Sequence, residues 1–154
     1  MMFDPAGNRV WTRQFGSTST DSATGVATTF SDVYVVGIAN GPLPGETSLG
    51  GQDAFLVKLA LPPLQKIRLV TDEIDRLVDD GTLNRGQGNS LTVKLEAAAK
   101  QLDKGNPTPA ANMLHAFVNE VAAYRASGKI PESEASLLIA WADNIIDQIR
   151  QDGA

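Results

Sequence analysis

The chain has 154 residues, with 13 Lys and Arg against 18 Asp and Glu, so it carries a net charge of −5 with its single His neutral. At 42% apolar and 20% charged residues it has a folding composition, neither disordered nor membrane-spanning, and no apolar run reaches the roughly 18–20 residues of a spanning helix. The acidic balance, without a basic stripe, argues against nucleic acid as a partner. Zero Cys excludes disulfides, thiolate metal sites and a Cys nucleophile, and one His excludes every mechanism that needs two imidazoles. The opening residues show no secretory leader pattern.

Residues 1–61 hold eight of the fourteen Gly and six of the nine aromatics but only eight charges. That stretch reads as β structure. Val10–Phe15 is the first predicted strand. Thr24–Phe30 and Val33–Ala39 flank the turn Ser31-Asp32 as a tight hairpin. Ala54–Leu59 follows, with Phe55, Val57 and Leu59 on one face. The intervening Asn40-Gly41-Pro42-Leu43-Pro44-Gly45 suits neither helix nor central strand. The expected product is one antiparallel four-stranded sheet, and about 60 residues is marginal for an independent core.

Pro62-Pro63, which offers no amide hydrogens, marks a stiff joint over residues 62–65. From residue 66 to 154 the hydrophobic period changes. Ile67, Val70, Ile74, Leu77 and Val78 form one helical stripe that stops before Gly81. Leu91, Leu95, Ala98 and Leu102 form a second that stops before Gly105. Thr108 as N-cap and Pro109 as first helical residue open a third helix, whose inner face is Met113, Leu114, Phe117, Val118, Val121 and Tyr124. Pro131, with Glu132 and Glu134 behind it, opens a fourth, lined by Leu138, Trp141, Ala142, Ile145 and Ile149. A shift of 47 residues superposes Ile74 on Val121, Gly81 on Gly128, Leu83 on Ile130, Leu91 on Leu138 and Leu102 on Ile149. Two αα-hairpins of this kind bury their apolar faces against each other as a four-helix bundle.

Two family resemblances follow from these residues. Asp4–Ala27 (DPAGNRVWTRQFGSTSTDSATGVA), Val33–Gly45 (VYVVGIANGPLPG) and Gly50–Leu59 (GGQDAFLVKL) resemble the bacterial SBBP repeat over residues 3–59. This implies a β-propeller-type blade from a secreted or cell-surface bacterial protein. The repeat order puts a DAFLVKL-type strand directly before DPAGN, so Val10–Phe15 is expected as the outer strand of a blade in permuted order. The Leu91-x-x-Lys94-Leu95-x-x-Ala98-Ala99 run, Leu114-x-Ala116-Phe117-x-x-x-Val121 and Ala135-x-x-Leu138-Ile139-x-x-Ala142 are similar to the FIMAH domain over residues 66–150. That resemblance implies a helical C-terminal module.

Chemistry-bearing residues are few. His115 has only Asn112 and Asn119 as polar neighbours within a turn, so it is read as structural. Asp4, Asn8, Asp21 and Asp53 could surround a hard cation, yet no loop shows calcium-binding spacing, and loop capping is the expectation. Asp72, Glu73, Asp75, Asp79 and Asp80 read as a solvated helix face. Gly81–Gly88 (GTLNRGQG) lacks the Lys-Ser/Thr and preceding strand of a phosphate loop. Trp11 and Trp141 read as packing anchors.

The functional expectation is a non-catalytic structural or interaction module with no cofactor and no metal. Its interface residues are Val10, Trp11, Arg13, Phe15, Phe55, Val57 and Leu59, and its partners are further copies of the chain or neighbouring propeller repeats. The alternatives are a polysaccharide- or surface-binding module using Tyr34 and the Leu43-Pro44-Gly45 loop, or an appendage of a larger extracellular hydrolase.

Overall fold

The computed structural model describes residues 2, 3, 7 and 9–152, the side chains of 2, 3, 10 and 11 excepted. The chain divides into two units, Met1–Leu59 and Ala60–Ala154.

The described residues of the first unit form the strands β1 (Met2–Phe3), β2 (Arg9–Trp11), β3 (Asp21–Thr28), β4 (Asp32–Ala39) and β5 (Asp53–Ala60). The last three form an antiparallel sheet in the order β3-β4-β5. Thr28 pairs with Val33 and Asp21 with Ala39, with a bulge between Ala23 and Gly25. The connection of β3 to β4 is Thr29-Phe30-Ser31 rather than the expected Ser31-Asp32. It is closed by the Thr29 amide donating to the Asp32 carbonyl at 2.9 Å and the Asp32 amide donating to Thr29 Oγ1 at 3.1 Å.

The expected fourth strand is not in this sheet. Val10–Phe15 contributes only its beginning to β2, which pairs antiparallel with β1, Met2 opposite Trp11 and Phe3 opposite Arg9. Residues 12–17 carry no ladder. Two local pairings explain the change. Met2 and Phe3 take one edge of β2, and Asp21 fastens Ser17 by accepting from its amide at 2.6 Å and its hydroxyl at 2.8 Å. The second bond set fixes the chain's turn into β3.

Alternation along the strands gives the sheet two faces. Val33, Val35, Phe55, Val57 and Leu59 lie on one, with Tyr34, Val36, Ile38, Leu56 and Lys58 on the other. Gly37 is required where the Phe55 ring crosses β4, because a Cβ there would lie 2.5 Å from that ring and 2.2 Å from the Ser22 carbonyl oxygen. Ala39 is the only apolar residue fully buried among the described residues of this unit. Val26 and Leu56, one on each face, are 71% and 66% exposed, so among the described residues neither face is fully covered.

The second unit is α1 (Pro63–Asp79), α2 (Arg85–Asp103), α3 (Pro107–Ala126) and α4 (Glu132–Asp152). Consecutive helices pack together and α1 closes the ring against α4, the arrangement of a four-helix bundle. Its core is the predicted set of stripes: Ile67, Val70, Ile74, Leu77, Leu91, Leu95, Ala98, Leu114, Phe117, Val121, Leu138, Ala142, Ile145 and Ile149 are all buried. Met113, Val118, Tyr124 and Trp141, predicted on inner faces, are half-buried at the flanks. Helix α3 begins two residues before the expected start at Pro109, with Asn106 rather than Thr108 as N-cap and Pro107 first. Pro107 and Pro109 both fall in the first turn, where amide hydrogens have no intrahelical acceptor.

The 47-residue repeat is visible in the fold. Gly81 and Gly128 both end a helix at positive φ (80° and 67°), a conformation that favours Gly. Leu83 and Ile130, two residues on, are both buried. At one end of the bundle, Pro63, Leu102, Gly105, Pro107, Ile149 and Asp152 line a cavity of about 300 Å³. The start of α1 and the end of α4 therefore lie together there.

Candidate interaction groove

Strand β5 is an edge strand, and along it runs a groove of about 560 Å³. Its floor is Ala54–Leu59. Its walls are Pro42, Leu43, Pro44 and Leu49 from the β4–β5 loop, and Arg13 and Phe15 from the segment after β2. The loop is shaped by its own sequence. Glu46 donates its amide to the Leu43 carbonyl at 2.9 Å to close a turn, in which Gly45 takes φ +85°. Asp53 holds the other end, accepting from Ser48 Oγ at 2.7 Å and the Leu49 amide at 3.1 Å. Phe15 meets Phe55 edge to face, ring centroids 5.9 Å apart.

An edge strand normally carries a device against unwanted pairing, such as a charge, a Pro or a bulge. Lys58 is the single charge within Ala54–Leu59, and its ammonium turns onto the sheet face, 3.2 Å from Asp32 Oδ2 and 6.0 Å from the centre of the Tyr34 ring. Hydrogen bonding and charge attraction from Asp32 raise the Lys58 pKa. Among the described residues, the outer edge of β5 thus presents apolar side chains beside backbone that no strand pairs.

The groove gathers Arg13, Phe15, Phe55, Val57, Leu59, Leu43 and Pro44 from the sequence-predicted set. Tyr34 and Gly45 are not among its lining residues, and Tyr34 lies on β4 with Lys58 over its ring. Val10 and Trp11 are placed by backbone only, on β2.

The remaining candidates resolve into structural roles. Asp21 and Asp53 each cap the loop before their own strand, and the Ser17 hydrogen bonds hold the Asp21 carboxyl below its ordinary range. Asp4 and Asn8 lie outside the described residues. No cluster of three metal-ligating side chains occurs among the described residues. His115 Nε2 accepts from Arg150 Nη2 at 3.2 Å. Within the acidic cluster of α1, Arg76 reaches Glu73 at 2.6 Å, Asp80 at 2.7 Å and Glu134 of α4 at 3.5 Å. Gly81–Gly88 is a helix start: Asn84 Oδ1 accepts from the Gln87 amide at 2.9 Å and Gln87 Oε1 accepts from the Asn84 amide at 2.8 Å, a reciprocal cap.

The FIMAH domain matches residues 67–147, just over half of the chain and confined to the four helices. The chain belongs to the FIMAH domain family. No curated protein and no solved structure matches it. The FIMAH bundle carries one polar seam that sequence reasoning did not find. Between α2 and α3, Glu120 Oε1 accepts from Ser90 Oγ at 2.7 Å and from the Tyr124 hydroxyl at 2.6 Å, while Glu120 Oε2 meets Lys94 Nζ at 2.5 Å. Burial works against the Glu120 charge, but the bonds from Lys94, Ser90 and Tyr124 together outweigh it and lower its pKa. Burial and the same carboxylate raise that of Tyr124. The spacings Ser90-x-x-x-Lys94 and Glu120-x-x-x-Tyr124 each put two partners on one helix face. That those faces meet is a tertiary fact.

Proposed function

We propose that the chain is a non-catalytic interaction module of a secreted or cell-surface bacterial protein. Its sheet unit acts as a β-propeller-type blade that self-assembles by strand exchange or stacking, and the FIMAH bundle is an appended helical domain. One observation carries this reading. Among the described residues the sheet has an open apolar edge and a single fully buried apolar residue, whereas the helical unit buries most of its apolar stripes. Exposed apolar sheet surface and an unguarded edge are the features that association removes. The reading draws its blade and extracellular setting from the resemblance of Asp4–Ala27, Val33–Gly45 and Gly50–Leu59 to the SBBP repeat.

The decisive measurement is mass in solution. Gel filtration with light scattering should give an assembly of two or more 16.3 kDa chains at micromolar concentration. A monomer at every concentration tested would refute self-assembly.

A further inference from the structure

We propose that the groove along β5 is the seat of residues Val10–Phe15 from a second copy of this chain, added as an antiparallel strand. The proposal rests on the self-assembly reading above and names the segment and register that carry it out. Among the described residues, the chain leaves two strand edges open and does not pair them with each other. β5 is open on the groove side, and β2 belongs to a two-stranded ribbon that uses only its β1 side. A two-stranded ribbon is marginal alone, and a third strand is what stabilises it.

The groove already accepts this segment at one point, because Phe15 of the same chain lies edge to face on Phe55. Exchange of an element between copies reuses a contact that one chain makes with itself. Setting Phe15 opposite Phe55 fixes the register. Arg13 then faces Val57, Trp11 faces Leu59, and Gln14 faces Leu56 on the opposite side of the sheet. The charges agree with this placement. Apart from Arg13, the groove is lined by the carboxylates Glu46 and Asp53 and by Lys58, whose charge is met by Asp32. The only charge in Val10–Phe15 is Arg13.

The absence of Cys in the sequence allows a direct test on the full chain. Gln14→Cys and Leu56→Cys change two exposed positions, and directly opposite antiparallel residues lie within disulfide reach. The two single variants, one carrying a mass tag, are mixed and oxidised, then separated without reductant. The expected result is a mixed-tag disulfide exceeding both self-linked species, and its loss when Phe15→Asp is added to the Gln14→Cys chain. An assembly by light scattering that yields no excess of the mixed disulfide overturns the groove assignment and leaves self-assembly standing. A monomer by light scattering overturns both. An intramolecular disulfide in the double variant, with no mixed product from the singles, assigns the groove to the chain's own segment and overturns the second-copy occupant.

Discussion

Phe117 is the largest fully buried side chain in the helical unit, 0% exposed, on the same α3 stripe as Leu114 and Val121. Phe117→Ala removes the ring and leaves a cavity that the four packed helices fill only in part, at a cost of about 3–5 kcal/mol. A domain of this size holds on the order of 5–14 kcal/mol in total. The substitution therefore removes about a fifth or more of the stability, which corresponds to a fall in Tm of about 15–30 °C. Val93→Ala on α2, at a position 52% exposed, should stay within about 0.5 kcal/mol and serves as the reference. Residues 62–154 expressed alone, melted and titrated with urea under far-ultraviolet circular dichroism, give both values. A loss below about 1 kcal/mol for Phe117→Ala, or a broad uncooperative melt of the parent fragment, would refute the reasoning that these stripes form a self-sufficient core.

Gly81→Ala and Gly128→Ala should each cost about 1–2 kcal/mol through the backbone alone, since a Cβ at either position meets nothing within 4 Å; urea midpoints measure it. Gly37→Ala drives a Cβ into the Ser22 carbonyl and the Phe55 ring, so it should abolish the Phe15–Phe55 aromatic signal in nuclear magnetic resonance spectra while the helical dichroism persists. Glu120 has a lowered pKa in the fold. Its contribution is therefore present above the unfolded carboxyl pKa of about 4.3 and is lost as pH falls through the folded value. Glu120→Gln should cost about 1.5–3 kcal/mol at neutral pH and flatten the acid limb of a stability-versus-pH curve.

The helices were legible in the sequence because each stripe stands on a period of 3.6, because the first three end at a Gly, and because the shift of 47 residues repeats the pattern. The start of α3 was misplaced by two residues because Pro107 and Pro109 satisfy the same first-turn condition. The sheet was less legible. Strands β3, β4 and β5 follow local alternation, but Val10–Phe15 has strand chemistry along its full length and still pairs only at its start. Competition from Met2 and Phe3 decides that, and no property of Val10–Phe15 itself records it. The groove depends on Lys58 turning away from the edge, which requires knowing that β5 lies beside β4 with Asp32 within reach. The Ser90–Lys94–Glu120–Tyr124 seam was not read from the sequence, because i, i+4 spacing puts each pair on one helix face but only packing decides that the two faces meet.

The bundle's first and last helices lie side by side, with Pro63 and Asp152 around the same small cavity. This has a mechanical consequence. Tension applied through those two ends does not shear α1 along α4. It peels them apart turn by turn, loading one small set of contacts at a time. Pulled from those two ends, the bundle yields at a lower force than the same contacts would bear in shear.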